Sequence, residues 1–289
     1  MKQILGRLLA LMLMILTLPA RADFSFDDTF LAEGEPAICT ETSYCSQNIS
    51  IDISSRRVEN SDVYIADIYI RDITCFQRGF AGGVWKSGTA ELSRIAEANN
   101  AILAMTGDYA HYFSNGWLMG NGQLLRQTYN DQRDVCMIYR TGEMRTIRAQ
   151  NVDNIWMSKE VPDLWHIFCF GPVLLDAEGK ACTSFNTEVR SANPRSAIGY
   201  YEPGHYCFVQ VDGRGTRSAV IEGEYNIGLT MDQLAVLMES LGCQTAYNLD
   251  GGQSSMLWFN GELVSTPFNN GRPIGDILLI RELPTASEN

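Results

Sequence analysis

Four short polar patches in this 289-residue chain combine residue types that can do chemistry. In Thr106-Gly107-Asp108-Tyr109, which follows the apolar run 101–105, Asp108 would emerge at a strand end. The ordinary alternative is a turn aspartate stabilising its own loop. In Asn193-Pro194-Arg195-Ser196 the proline stiffens the approach to an apolar run, 197–201. The planar fork of Arg195 suits phosphate or carboxylate oxygens, although taken alone the patch reads first as a surface arginine beside a strand start. A third strand-like run, Val209-Gln210-Val211, ends in Asp212-Gly213-Arg214, which also reads as a turn with an exposed ion pair. The fourth patch, Tyr247 to Ser255, holds Asn248, Asp250, Gly251, Gly252, Ser254 and Ser255. Adjacent glycines let a ligand approach the backbone, and such a loop can bind anions through its N–H groups.

Other chemistries are excluded by inventory. There is no H-E-x-x-H, Walker loop or G-x-S-x-G, so Ser254 and Ser255 are poor candidates for a hydrolase nucleophile. His111, His166 and His205 are scattered and read as structural, though His111 falls just beyond Asp108. No cofactor is expected. Asp108, Asp212 and Asp250 could hold calcium through oxygen ligands, but no ligand spacing points to it, and the metal question stays open.

The elements that must position these patches are legible in outline. Asp62 to Ile73 reads as a long strand, Glu91 to Ala98 as a helix, and Ala101 to Met105 as a buried strand. Asn121-Gly122, Thr141-Gly142 and Asn260-Gly261 are hairpin signals, so much of the sheet should be antiparallel. Thr230 and Gln233 form a capping box for a helix whose apolar residues 231, 234, 235, 238 and 241 share one face, with Gly242 as its stop. The strand Thr245 to Leu249 then runs into Asp250. The expected fold class is α+β, with largely antiparallel or mixed sheet and a few flanking helices, in one domain spanning 62–283. Residues 23–61 are expected to form an N-terminal extension and 284–289 a tail.

Composition is that of an ordinary globular protein, 45% hydrophobic and 19% charged. With 22 Lys+Arg against 34 Asp+Glu, no basic stripe remains for a nucleic-acid backbone. Residues 1–22 read as a secretory leader. Lys2 and Arg7 precede the apolar run Leu8 to Leu18, and Ala20-Arg21-Ala22 places the cut between Ala22 and Asp23. The apolar run is short for a bilayer span, although an uncleaved anchor is the alternative. The mature protein is therefore expected to be secreted, acidic and without a membrane span. Its eight cysteines permit disulfides. Cys39/Cys45 and Cys169/Cys182 are the pairs local enough to suggest, while Cys136, Cys207 and Cys243 lie in apolar segments and read equally as buried thiols.

Seven motifs occur in one order: T-G-D-Y (106–109), F-G-P (170–172), N-P-R-S-A-I-G (193–199), V-D-G-R (211–214), G-L-T (228–230), L-G-C (241–243) and N-L-D-G-G-x-S-S (248–255). This series resembles the phosphodiester glycosidase family, whose bacterial members are often described as exopolysaccharide-related, over residues 101–281. The sequence departs from that pattern at Thr106, where Asn is usual, and at Gln253, where a third Gly is usual. The resemblance implies hydrolysis of sugar-1-phosphodiesters, or of a phosphate-linked glycopolymer, releasing the sugar and a phosphomonoester. A phosphomonoester leaves readily, so charge stabilisation matters more than a strong acid. A carboxylate must still stabilise the oxocarbenium-like transition state or activate water. On that reading Asp108, Asp250 and Arg195 are catalytic. Tyr109, Asp212, Arg214, Asn248, Gly251, Gly252, Ser254 and Ser255 bind substrate, with Arg214 joining Arg195 on the phosphate. The rival readings are a non-catalytic glycopolymer-binding module and a phosphodiesterase that cuts the P–O bond. Sugar, aglycone and oligomeric state are open.

Overall fold

The computed structural model describes residues 26–128 and 132–283, so the expected leader, its cleavage site and the tail lie outside the described residues. The hairpins form where the dipeptides set them. Asn121 and Gly122, at φ 54° and 74°, join strands Gly116–Gly120 and Gln123–Thr128. Asn260-Gly261 joins Leu257–Phe259 to Glu262–Leu263. Asparagine and glycine tolerate the positive φ that a two-residue turn needs to match strand twist. Thr141-Gly142 separates Val135–Tyr139 from Met144–Ile147.

Three larger sheets result, and every ladder pairing between their strands is antiparallel. The first runs Ile38–Cys39, Ser43–Cys45, Ile49–Val58, Ser61–Ile70, His205–Val211, Arg195–Glu202, Thr245–Leu249. The second runs Met144–Ile147, Val135–Tyr139, Leu164–Phe168, Gly116–Gly120, Gln123–Thr128. The third runs Glu262–Leu263, Leu257–Phe259, Leu103–Thr106, Asp276–Ile280, Phe76–Phe80. Helices Leu92–Ala98, Asn154–Glu160 and Met231–Ser240 flank them, which is the expected α+β architecture. One apolar core takes side chains from all three sheets, including Ile68 and Phe208, Cys136 and Phe168, and Phe76 and Leu278.

Residues assigned to the N-terminal extension supply three strands of the first sheet. Ile49–Val58 pairs with Ser61–Ile70 along its whole length, and alternate residues Ile49, Ile51 and Ile53 are buried. The period-two alternation puts the isoleucines on the core face and Ser50, Asp52 and Ser54 on the other.

Register brings the motifs to one end of this sheet. Arg195 pairs with Val211, and Ser196 pairs with Leu249, so Arg195, Asp212 and Asp250 flank adjacent strand ends. The helix Met231–Ser240 holds that end in place. Thr230 Oγ1 accepts from Gln233 N at 3.2 Å and Gln233 Oε1 accepts from Thr230 N at 2.9 Å, while Leu234, Ala235 and Met238 are buried beneath it. The third sheet meets the same end, where Asp250 N donates to Gly107 O at 3.2 Å.

Candidate active site

Asp108 and Asp250 line one narrow cavity with Tyr109, His111, Tyr112, Arg272 and Asp276. Its volume is about 10 Å³, room for roughly one water. Asp108 is buried at the end of Leu103–Thr106. Its Oδ2 accepts from Cys169 N at 2.7 Å and lies 3.8 Å from Arg78 Nη2, whereas its Oδ1 has no hydrogen-bond partner. Burial raises its pKa, and the positive field of Arg78 opposes that rise. Asp276 is also buried, and it accepts from Asp108 N at 3.1 Å and pairs with Arg78 at 2.7 Å. Burial pushes Asp276 up to about 6, with Asp108 adding to the rise.

Asp250 is held differently. Arg272 Nη2 lies 3.1 Å from Asp250 Oδ2, and Arg272 Nε donates to Ser254 Oγ at 2.6 Å. Burial raises the Asp250 pKa, and Ser254 and Arg272 hold it back. Arg272 in turn lies over the Tyr109 ring, 5.2 Å from its centroid, and that ring stacks on Tyr112 at 4.3 Å.

Arg195 and Arg214 stand on the other side of the glycine pair. Arg195 is buried, not a surface residue. Its Nε donates to Leu229 O at 3.0 Å and its Nη2 to Ser191 O at 2.6 Å. Burial, with the charge of Arg214, lowers its pKa to about 10. Arg214 is no turn ion pair either, since its Nε and Nη2 both reach Asn193 Oδ1. A Cβ on Gly252 would sit 2.8 Å from Arg214 Nη2, and one on Gly251 would sit 2.8 Å from Pro194 O. The two glycines thus let the arginine-bearing segments press against the Asp250 loop.

The remaining motif residues are spread around this centre. Asn248 Nδ2 donates to Gly171 O at 2.8 Å, at the cis Gly171–Pro172 bond, and its buried Oδ1 has no hydrogen-bond partner. Ser255 is buried beside Ser196, whose hydroxyl donates to Gln210 Oε1 at 3.0 Å. Asp212 does not line the cavity. Its Oδ2 accepts from Thr266 N at 2.9 Å, fixing the start of the segment that carries Arg272, and burial lifts its pKa to about 7. The two departures have partners as well. Thr106 Oγ1 donates to Ser254 O, and Gln253 Nε2 donates to Gly271 O at 2.9 Å, next to Arg272.

Arg272, Asp276 and Arg78 escaped sequence reasoning. The signal for the first two was Arg272-Pro273-Ile274-Gly275-Asp276 leading into the apolar strand Asp276–Ile280, the same pattern that drew attention to Arg195. Arg78 is a lone charge within Phe76–Phe80. Among the histidines, His166 is fully buried and its pKa falls to about 3 through burial, whereas His111 borders the cavity. Among the described residues, no group of three His, Cys, Asp or Glu side chains is placed to hold a metal ion.

All eight cysteines are thiols in this structure. The local pairings are not formed. Cys169 and Cys182 each face an arginine, Arg126 at 3.3 Å and Arg148 at 2.9 Å, while Cys39 and Cys45 donate to the carbonyls of Thr40 and Thr29.

The family model for phosphodiester glycosidases matches residues 99–281, which contain the cavity carboxylates Asp108, Asp250 and Asp276 together with Arg272. The chain belongs to the phosphodiester glycosidase family. Its fold is similar to that of the zebrafish N-acetylglucosamine-1-phosphodiester alpha-N-acetylglucosaminidase catalytic domain, auto-inhibited by its pro-peptide. The TM-score is 0.63 at 17% identity, covering 88% of this chain and 87% of that one. A hypothetical protein from Synechocystis has a similar fold, with a TM-score of 0.54 at 13% identity over 86% of this chain and 65% of that one. In sequence, the SPbeta prophage-derived uncharacterized protein YomE of Bacillus subtilis (strain 168) is 30% identical over 182 residues. That match covers 59% of this chain and 26% of the relative, so the chain spans about a quarter of that protein's length.

Proposed function

We propose that this phosphodiester glycosidase is an exported hydrolase of sugar-1-phosphodiesters that breaks the bond between the anomeric carbon and the phosphate oxygen. One observation carries the reading: two buried carboxylates from separate family motifs, Asp108 and Asp250, line one cavity with the Arg272 guanidinium. In this proposal Asp250, ionised against Arg272, faces the anomeric carbon as positive charge develops there. Asp108, with one oxygen free, handles the proton of the attacking water. The oxygen of that water joins the anomeric carbon, and the bonding pair leaves with the phosphomonoester. Arg272, with Arg195 and Arg214 beyond the glycine pair, offsets the phosphate charge.

The cavity itself has room for about the attacking water. A hollow of about 320 Å³ shares Arg272 and Pro273 with it and is lined also by Leu92, Met256 and Asn270. That hollow offers room for the rest of the substrate. Export is supported by the leader pattern in residues 1–22. Among the described residues, no helix is long and apolar enough to cross a membrane.

The test is turnover of a synthetic α-N-acetylglucosamine phosphodiester in isotopically labelled water, with and without chelator. Label in the released sugar supports the reading. Label in the phosphate indicates P–O cleavage instead, and binding without turnover indicates a glycopolymer-binding module. Activity lost to chelator and restored by calcium would add a metal to the site.

A further inference from the structure

Cys207 and Cys243 lie far apart in sequence and meet in the core, with their sulfurs 3.7 Å apart. Cys207 is in the strand His205–Val211, and Cys243 is in the turn between the helix Met231–Ser240 and the strand Thr245–Leu249. Both are buried. The strand between them, Arg195–Glu202, crosses this point at Gly199, which pairs with Cys207 on one side and Ala246 on the other. A Cβ on residue 199 would come within 2.5 Å of Cys243 Sγ and 2.6 Å of Cys207 Sγ. No side-chain carbon tolerates such a distance, so the glycine makes the space in which the two sulfurs face each other.

We infer that Cys207 and Cys243 form a disulfide when the chain folds in an oxidising compartment. The sulfurs have to close to a bond of about 2.05 Å, which side-chain rotation into the Gly199 gap accomplishes. The oxidant is a low-molecular-weight or protein disulfide. One cysteine thiolate attacks it to give a mixed disulfide, and the second thiolate then displaces the carrier. Overall two thiols become one disulfide, and their two electrons and two protons pass to the oxidant, which is reduced to two thiols. Because both sulfurs are shielded from solvent in the fold, the exchange belongs to folding, before the core closes. The bond ties the strand bearing Cys207 to the turn that launches the strand ending at Asp250. It encloses Asp212, Arg214 and the capped helix.

The test is peptide mapping of the full exported protein, purified without reductant and alkylated in denaturant. A second sample of the full chain is unfolded, reduced and refolded in glutathione with glutathione disulfide. A peptide joining Cys207 to Cys243, lighter by two hydrogens than the two thiol peptides, is expected. Both cysteines alkylated in both samples, or either one joined to a different cysteine, would overturn the inference. Linked protein that is unfolded, reduced with phosphine and refolded with the phosphine present should melt roughly 10 °C lower, as expected for a closed loop of about 35 residues in a chain of this size. The Cys207→Ala/Cys243→Ala double variant should show no response to the reductant. An unchanged Tm on reducing protein that carries the link would contradict the stapling role.

Discussion

Arg272 grips Asp250 and its loop at two points, with Nη2 3.1 Å from the carboxylate and Nε donating to Ser254 at 2.6 Å. One guanidinium therefore sets both the charge and the position of the proposed catalytic carboxylate. The segment leading up to Arg272 is itself anchored, at Thr266 by Asp212 and at Gly271 by Gln253.

Replacing that guanidinium should act on turnover. Arg272→Gln retains hydrogen-bonding capacity and removes the charge, so kcat/KM should fall by about 100-fold with the fold intact. Steady-state kinetics on the phosphodiester, with circular dichroism as the folding control, read this directly. Activity within a few-fold of the parent would remove Arg272 from the site.

Arg195 has a double commitment, because two of its nitrogens already hold the carbonyls of Leu229 and Ser191. Arg195→Lys cannot keep both bonds and the fork, so activity and Tm should drop together. Arg214→Ala spares those bonds and should raise KM with little change in Tm. Parent-like kinetics for the folded lysine variant would place Arg195 outside phosphate binding.

Asp212 makes stability depend on pH. Its folded pKa of about 7 lies above that of an unfolded aspartate, so the native state holds a proton that the unfolded chain has lost. This contribution is greatest in acid and is lost as pH rises from about 4 to about 7. Asp212→Asn, neutral throughout, should flatten the fall and exceed the parent in Tm by a few degrees at pH 8. A variant melting below the parent at that pH would show that the ionised carboxylate is the stabilising form.

Export makes a simple prediction about the mature end. Intact-mass and N-terminal analysis of protein from the culture supernatant or periplasm should show a chain beginning at Asp23. A chain retaining the leader and recovered with the membrane fraction would indicate an uncleaved anchor.

The sequence exposed those parts of the fold whose cause is local. The Thr230–Gln233 box, the Asn-Gly turns and the apolar run into Asp250 each depend on a few adjacent residues, and each forms as expected. Asp108 and Asp250 were legible because each ends an apolar strand. Arg272 and Asp276 also precede or begin an apolar strand, but their place beside Asp108 depends on the third sheet pairing Asp276–Ile280 with Leu103–Thr106. The Ile49–Val58 strand has a clear alternation, but its place in the domain depends on pairing with Ser61–Ile70. The cysteines mislead for the same reason. Sequence proximity favoured Cys39 with Cys45 and Cys169 with Cys182, whereas the sheet brings Cys207 to Cys243 across Gly199.

If Asp250 acts on charge that develops only in the transition state, Asp250→Asn will expose it. The amide preserves shape and a hydrogen-bonding oxygen near Arg272 and removes the negative charge. A fall in kcat of at least about 100-fold on a sugar-1-phosphodiester is expected, with KM and Tm close to those of the parent. A kcat within a few-fold of the parent together with a lowered Tm would contradict it, and would make Asp250 a structural turn residue.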